Sequence, residues 1–156
     1  MYKNTLTIIF LLLCTFLFAQ TPTKSETVSV NGKNIYYEVY GQGPPLFLLH
    51  GYTLSSKSWK PYVQDFESEH QVYIVDLTGH GKSDAFKEIL SLRSVAQDLN
   101  ALITFLELDR IEAVGFSFGG DVLYQLALIN PTLIESMITI GAVGTWTVND
   151  FPEYQQ

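Results

Sequence analysis

Two glycines bracket a serine in Gly115-Phe116-Ser117-Phe118-Gly119, and this stretch constrains the chain most, because an apolar strand-like run gives way there to a helix-like one. Ile111 to Val114 is short and apolar, whereas Val122 to Ile129 reads as a helix stopped by Asn130-Pro131. A backbone that turns from strand to helix within so few residues folds back on itself. Side chains two places before and after the apex would collide, and glycine removes them. The apex residue is left strained, its side chain lifted clear of the sheet edge toward the first N–H groups of the helix. Ser117 is therefore the leading candidate for a nucleophile, with Gly115 and Gly119 as its support.

The flanking segments place this turn in a larger pattern. Glu26 to Val30 and Asn34 to Tyr40 alternate polar with β-branched or aromatic residues across Asn31-Gly32, which predicts an antiparallel hairpin. Pro45 to Leu49 is apolar on both faces, as a central parallel strand should be, and Val72 to Val75 is a second buried strand ending at Asp76. Lys57 to Phe66 is expected to form a helix packing Trp59, Tyr62 and Phe66. Leu92, Val95, Leu99, Leu102, Ile103 and Leu106 fall at helical spacing, and Met137 to Ile140 is a further strand. Strands alternating with helices imply an α/β domain, mostly parallel, with helices on both faces and the hairpin at its N-terminal edge. On such a sheet, ligands sit outside the carboxyl ends of the strands. His50, Asp76, Ser117 and Gly141 all map to that edge.

Residues 1–20 read as a secretory signal peptide: Lys3, an apolar run from Leu6 to Phe18, and a small residue at Ala19. The run is shorter than the roughly 20 residues a membrane span needs, so a secreted or periplasmic protein without a stable membrane anchor is expected. The domain then occupies residues 21–156. Cys14 is the only cysteine, which leaves the mature chain without disulfides or cysteine-based metal sites. Cleavage removes Lys3 and no acid, so 9 basic and 16 acidic residues become 8 and 16. That acidic surface argues against nucleic acid and against an anionic membrane as partners.

Three motifs in order carry a resemblance: Leu48-Leu49-His50-Gly51-Tyr52, then Asp76-Leu77-Thr78-Gly79-His80-Gly81-Lys82-Ser83, then Gly115-Phe116-Ser117-Phe118-Gly119-Gly120. The chain resembles the esterase-like members of the α/β-hydrolase superfamily, over essentially all of its mature length. The resemblance implies that Ser117 attacks an acyl carbon and forms a covalent intermediate. It also implies that the backbone N–H groups of Phe118 and Tyr52 meet the negative charge developing on the substrate oxygen. His50 and Gly51 then shape the loop that carries Tyr52, and Asp76 holds its own loop through backbone hydrogen bonds. His80 reads as structural or rim-lining, and His70 as a surface residue. The implied substrate is a small-molecule ester or other acyl compound, with no metal or organic cofactor. A serine at the elbow speaks against relatives that use an aspartate nucleophile.

The family order is nucleophile, acid, histidine, and no histidine follows Ser117 in this sequence. A serine hydroxyl is a weak nucleophile without a neighbouring base. Asp150 is a candidate acid, although it lies well beyond the last recognisable strand. The expectation is an N-terminal portion of a secreted serine hydrolase, incomplete at its C-terminal side. The alternative is a non-catalytic, receptor-like relative that binds small molecules.

Overall fold

The computed structural model describes residues 21–86 and 90–144. The expected signal segment and Asp150 lie outside the described residues. β1 (Lys24–Val30) and β2 (Lys33–Tyr40) form the antiparallel hairpin, paired from Lys24 with Val39 to Val30 with Lys33. Asn31 and Gly32 between them have φ of 50° and 72°. Two successive positive φ values define a type I′ turn, whose twist matches that of the strands it joins. β3 (Pro45–Leu49), β4 (Gln71–Val75), β5 (Ile111–Phe116) and β6 (Ile134–Ile140) complete a six-stranded sheet of order β1-β2-β4-β3-β5-β6. β2 pairs antiparallel with β4, and the β4-β3-β5-β6 part is parallel throughout. This is the mostly parallel sheet with an N-terminal hairpin that the sequence predicts.

Alternation along the strands sorts their side chains onto two faces. Phe47 and Leu49 of β3, Tyr73 and Val75 of β4, and Ala113 of β5 face one large core. That core is closed by α1 (Leu92–Phe105) and α2 (Phe118–Ile129), through Val95, Leu99, Leu102 and Ile103 of the first and Val122, Leu123 and Leu126 of the second. α1 starts where the Ser91 hydroxyl accepts a hydrogen bond from the Ser94 N–H, a cap that satisfies one of the orphan donors at a helix start. Leu46 and Leu48 of β3, Val72 and Ile74 of β4, and Tyr40 point the other way into a smaller cluster.

This second face is covered by Ser56 to Asp65, largely the segment Lys57 to Phe66 for which a helix is expected. Two short 3-10 turns form instead, Ser56–Ser58 and Lys60–Asp65, with Pro61 early in the second. Trp59, Val63 and Phe66 still pack inward, but Tyr62 is exposed. The turns cover only the β4 and β3 half of the face. Beyond them the register sets Val114 beside Ile138 and Phe116 beside Ile140, and Phe116, Ile138 and Ile140 remain exposed. With Trp59, Tyr62 and Leu54, these residues line an apolar groove of about 570 Å³.

Candidate active site

The turn at residues 115 to 120 has the geometry that its glycines require. Ser117 sits between the last residue of β5 and the first of α2, with φ 49° and ψ −116°. A non-glycine residue held in this region carries strain on the order of 1–3 kcal/mol, so the surroundings must over-determine it. They do: the Ser117 N–H donates to the Ile140 carbonyl at 2.7 Å, and its own carbonyl accepts from Gly120 and Asp121 at 2.8 and 3.1 Å. A methyl group on Gly115 would lie 2.6 Å from the Cα and N of Gly120. One on Gly119 would lie 2.5 Å from the Leu49 carbonyl oxygen and 2.8 Å from that of His50. α2 thus starts at Phe118, a full turn before the apolar run at Val122 announces it. As the first residue of the helix, Phe118 has no residue four places back within α2 to accept its N–H.

The loop that leaves β3 lies directly against this turn. A methyl group on Gly51 would touch the Phe116 ring at 2.9 Å and the Ser117 Cβ at 3.5 Å. The Tyr52 ring stands edge-on to Phe118 and His80, at centroid distances of 5.7 and 5.4 Å. Tyr52 is 55% exposed, whereas Phe118, against which its ring stands, is buried. The Phe residues flanking the serine part company here. Phe118 joins the large core, and Phe116 looks out onto the apolar groove of the opposite face.

His50 is wholly buried, and its hydrogen bonds fix its protonation. Nε2 accepts from the Leu77 N–H at 3.1 Å, so the proton resides on Nδ1, which donates to the Gly51 carbonyl at 2.8 Å. Burial holds its pKa below the ordinary histidine value of 6.5, which keeps the ring neutral. With both nitrogens engaged, His50 has no free position from which to take a proton. His80 is also buried: its Nδ1 donates to the Thr78 carbonyl at 3.1 Å, and its ring packs against His50, Tyr52, Phe86 and Phe118. It is a structural member of an aromatic cluster under the site.

Asp76 holds its loop through backbone hydrogen bonds as expected, and it reaches further. Oδ2 accepts from the Lys82 N–H at 2.8 Å, while Oδ1 accepts from the Ser56 N–H at 2.6 Å on the neighbouring loop. Two other carboxylates, among the buried ones, were missed in reading the sequence. Asp98 on α1 accepts from Asn31, Lys33 and Thr78, tying the hairpin turn and the Asp76 loop to the helix. Asp121, in the first turn of α2, accepts from the N–H groups of Val143 and Gly144 at 3.1 Å each and fastens the chain leaving β6. An acid just after two glycines at a helix start was the available signal for the second. His70, expected at the surface, is instead partly buried at the far end of the sheet, with Nε2 3.2 Å from a Glu112 carboxylate oxygen. A pairing across 42 positions leaves no local mark in the sequence. Among the described residues, no group of three or more His, Cys, Asp or Glu side chains could hold a metal ion.

The sheet order, the serine turn and the loop packed against it define an α/β-hydrolase. The family model for the alpha/beta hydrolase fold matches residues 44–156, and the chain belongs to that family. It is 33% identical over 118 residues to the pimeloyl-[acyl-carrier protein] methyl ester esterase of Aeromonas hydrophila, covering 75% of this chain and 45% of the esterase. It is 29% identical over 114 residues to a soluble epoxide hydrolase of Corynebacterium, covering 73% of this chain and 40% of that one. Among solved structures, it matches Est816, described as an N-acyl homoserine lactone degrading enzyme, with a TM-score of 0.71 and 31% identity, covering 75% of this chain and 45% of that one. The chain spans 36% to 46% of the length of these curated relatives and others it matches. The esterase and the epoxide hydrolase are both named for hydrolytic activities, and what the chain shares with them is the alpha/beta hydrolase family.

Proposed function

We propose that the complete protein is a secreted or periplasmic serine hydrolase that cleaves an ester or related acyl bond through an acyl intermediate on Ser117. The observation that carries this reading is the backbone of Ser117, at φ 49° at the head of α2, with Gly51 of the adjoining loop packed against its Cβ. Strain of this kind persists where the surroundings enforce it, and such positions cluster at active sites. The Ser117 oxygen attacks the acyl carbon, and its proton passes to a base. The alcohol leaves with a proton, and water then releases the acid and frees the serine. The N–H groups of Phe118 and Tyr52 stabilise the oxyanion that forms in each half-reaction. Relatives named for methyl ester and lactone substrates support acyl chemistry, and an alcohol at the elbow favours it over epoxide opening.

The base and its acid partner are proposed to come from further chain. The apolar groove and the lengths of the relatives support a larger complete domain. Residues 1–20 are proposed as the export signal, with the hydrolase domain beginning at residue 21. The test is a fluorophosphonate probe on the complete protein. Labelling that disappears in Ser117→Ala supports the assignment, and labelling that survives the change overturns it. A folded protein that binds small esters without reacting would point to the receptor-like alternative.

A further inference from the structure

The loop bearing Tyr52 is held at both ends by consecutive residues of one neighbouring strand end. At its near end, Gly51 is tied through His50 to the Leu77 N–H. At its far end, the Ser56 N–H donates to Asp76 Oδ1 at 2.6 Å, the shorter of the two backbone bonds that this carboxylate accepts. Between the pins, the loop makes one backbone hydrogen bond of its own, Leu54 N–H to the Gly51 carbonyl at 3.2 Å. Thr53 takes φ 63°, a conformation that a β-branched residue adopts only when its neighbours impose it. Asp76 is itself immobilised. It is 2% exposed, its N–H donates to the Tyr36 carbonyl at 2.9 Å, its carbonyl accepts from the Ser83 hydroxyl, and a methyl group on Gly81 would lie 2.1 Å from Oδ2.

We propose that Asp76 is a positioning residue for the oxyanion hole, acting through the Ser56 N–H to set the direction of the Tyr52 N–H. The inference rests on the serine hydrolase reading above. It assigns Asp76 a role beyond its own loop: the carboxylate joins the end of β4 to the loop leaving β3, and so carries the register of the sheet to the wall of the site. Tyr52 lies four residues from this pin, and slack at Ser56 lets the exposed stretch from Tyr52 to Leu54 move relative to Phe118. A displacement of about 1 Å at a positioned group lowers rate by up to roughly a hundredfold.

Two substitutions in the complete protein separate this role from simple loop support. Ser56→Pro removes the N–H from which Asp76 Oδ1 accepts and sets the ring Cδ against that oxygen, while the Lys82 N–H itself is unaltered. The backbone admits proline, because Ser56 opens a 3-10 turn and Ser55 before it is extended at φ −152° and ψ 176°, and the crowding it brings falls on the contact under test, ring Cδ against Asp76 Oδ1. Asp76→Asn does the reverse, since its amide oxygen can still accept from Ser56 while its NH2 cannot accept from Lys82. The expected result is that Ser56→Pro lowers kcat about ten- to a hundredfold at unchanged KM. Affinity for a boronic acid that mimics the oxyanion should fall by the same factor, and Asp76→Asn should lose less. Wild-type kcat in Ser56→Pro, with Asp76→Asn impaired, would confine Asp76 to its own loop and overturn the proposal.

Amide exchange at Leu54 reads the same pin without catalysis and should quicken in Ser56→Pro; unchanged exchange there would also overturn it. If Ser56→Pro does not fold, Asp76→Ala takes its place, with exchange at Leu54 expected to quicken at least as much as at Ser83. A wild-type protein that neither labels at Ser117 nor turns over an ester would count against the functional reading, while the Leu54 exchange still decides the pin.

Discussion

Replacing Gly119 by alanine tests whether the serine turn is as closely packed as its contacts imply. The added methyl would sit 2.5 Å from the Leu49 carbonyl oxygen, 2.7 Å from its carbon and 2.8 Å from the His50 carbonyl oxygen. All three atoms are backbone, and none can rotate away. Relief to between 3.0 and 3.4 Å means separating the start of α2 from the end of β3 by roughly 0.5–0.9 Å, a forced backbone shift of the kind that costs up to about 3 kcal/mol. Alanine in place of glycine within a helix returns up to about 1 kcal/mol. The net loss is then about 2 kcal/mol, or a fall of roughly 4–8 °C in Tm for a chain of this size. The same shift moves the Phe118 N–H away from the Tyr52 loop, so labelling of Ser117 should slow about ten- to a hundredfold.

Gly32→Ala is the control. It has φ +72° and no atom within 4 Å of the added methyl, so it meets backbone strain of about 1 kcal/mol and no clash. Its labelling rate should match wild type. Thermal or urea unfolding and time-resolved probe labelling read both variants. Gly119→Ala within about 0.5 kcal/mol of wild type, labelling at the wild-type rate, would refute the packing argument.

Asp98→Ala should destabilise by about 3 kcal/mol in urea, because it strands a largely buried Lys33 ammonium, leaves the Thr78 hydroxyl without its acceptor and leaves Asn31 only the Gln97 carbonyl; a change under about 0.5 kcal/mol would show the network to be idle. His50 has a folded pKa below 6.5, so the unfolded chain binds more protons as pH falls past that value, and the stability this residue contributes is present above pH 6.5 and lost below it. A ring-nitrogen titration by NMR should find His50 neutral, with the proton on Nδ1, at pH values where an exposed histidine is half charged; an unshifted titration would contradict the buried strut. The apolar groove should bind a hydrophobic dye in the 156-residue chain, and Ile138→Lys should weaken that binding; equal fluorescence from both would place the dye elsewhere.

Features written in local pattern were legible from the sequence. β3 begins at Pro45 and ends at Leu49 as its apolar run does, and Asn31-Gly32 specified the hairpin turn through its positive φ values. The elbow was legible because steric demand falls on named positions, Gly115 and Gly119, whose crowding the structure bears out. Propensity misled where glycine opens a helix: the helix was expected from Val122, yet the elbow forces Phe118 to Asp121 into the first turn of α2. At Ser56 to Asp65 an apolar spacing suited to a helix gave way to 3-10 turns, with Pro61 removing one backbone donor. Contacts between distant segments left no trace in pattern. The reach of Asp76 to Ser56 and the pairing of His70 with Glu112 depend on strands meeting in the sheet, and the clasp of Asp98 on the hairpin depends on α1 packing against it.

The central claim is that Ser117 is the nucleophile, and intercepting the acyl-enzyme tests it most directly. The complete protein is mixed with a p-nitrophenyl ester, quenched in acid within the first turnovers, and digested for mass spectrometry. The account predicts an added acyl mass on the peptide containing Ser117, and loss of both adduct and turnover in Ser117→Ala. An adduct on another residue, or ester turnover that persists in Ser117→Ala, would contradict it.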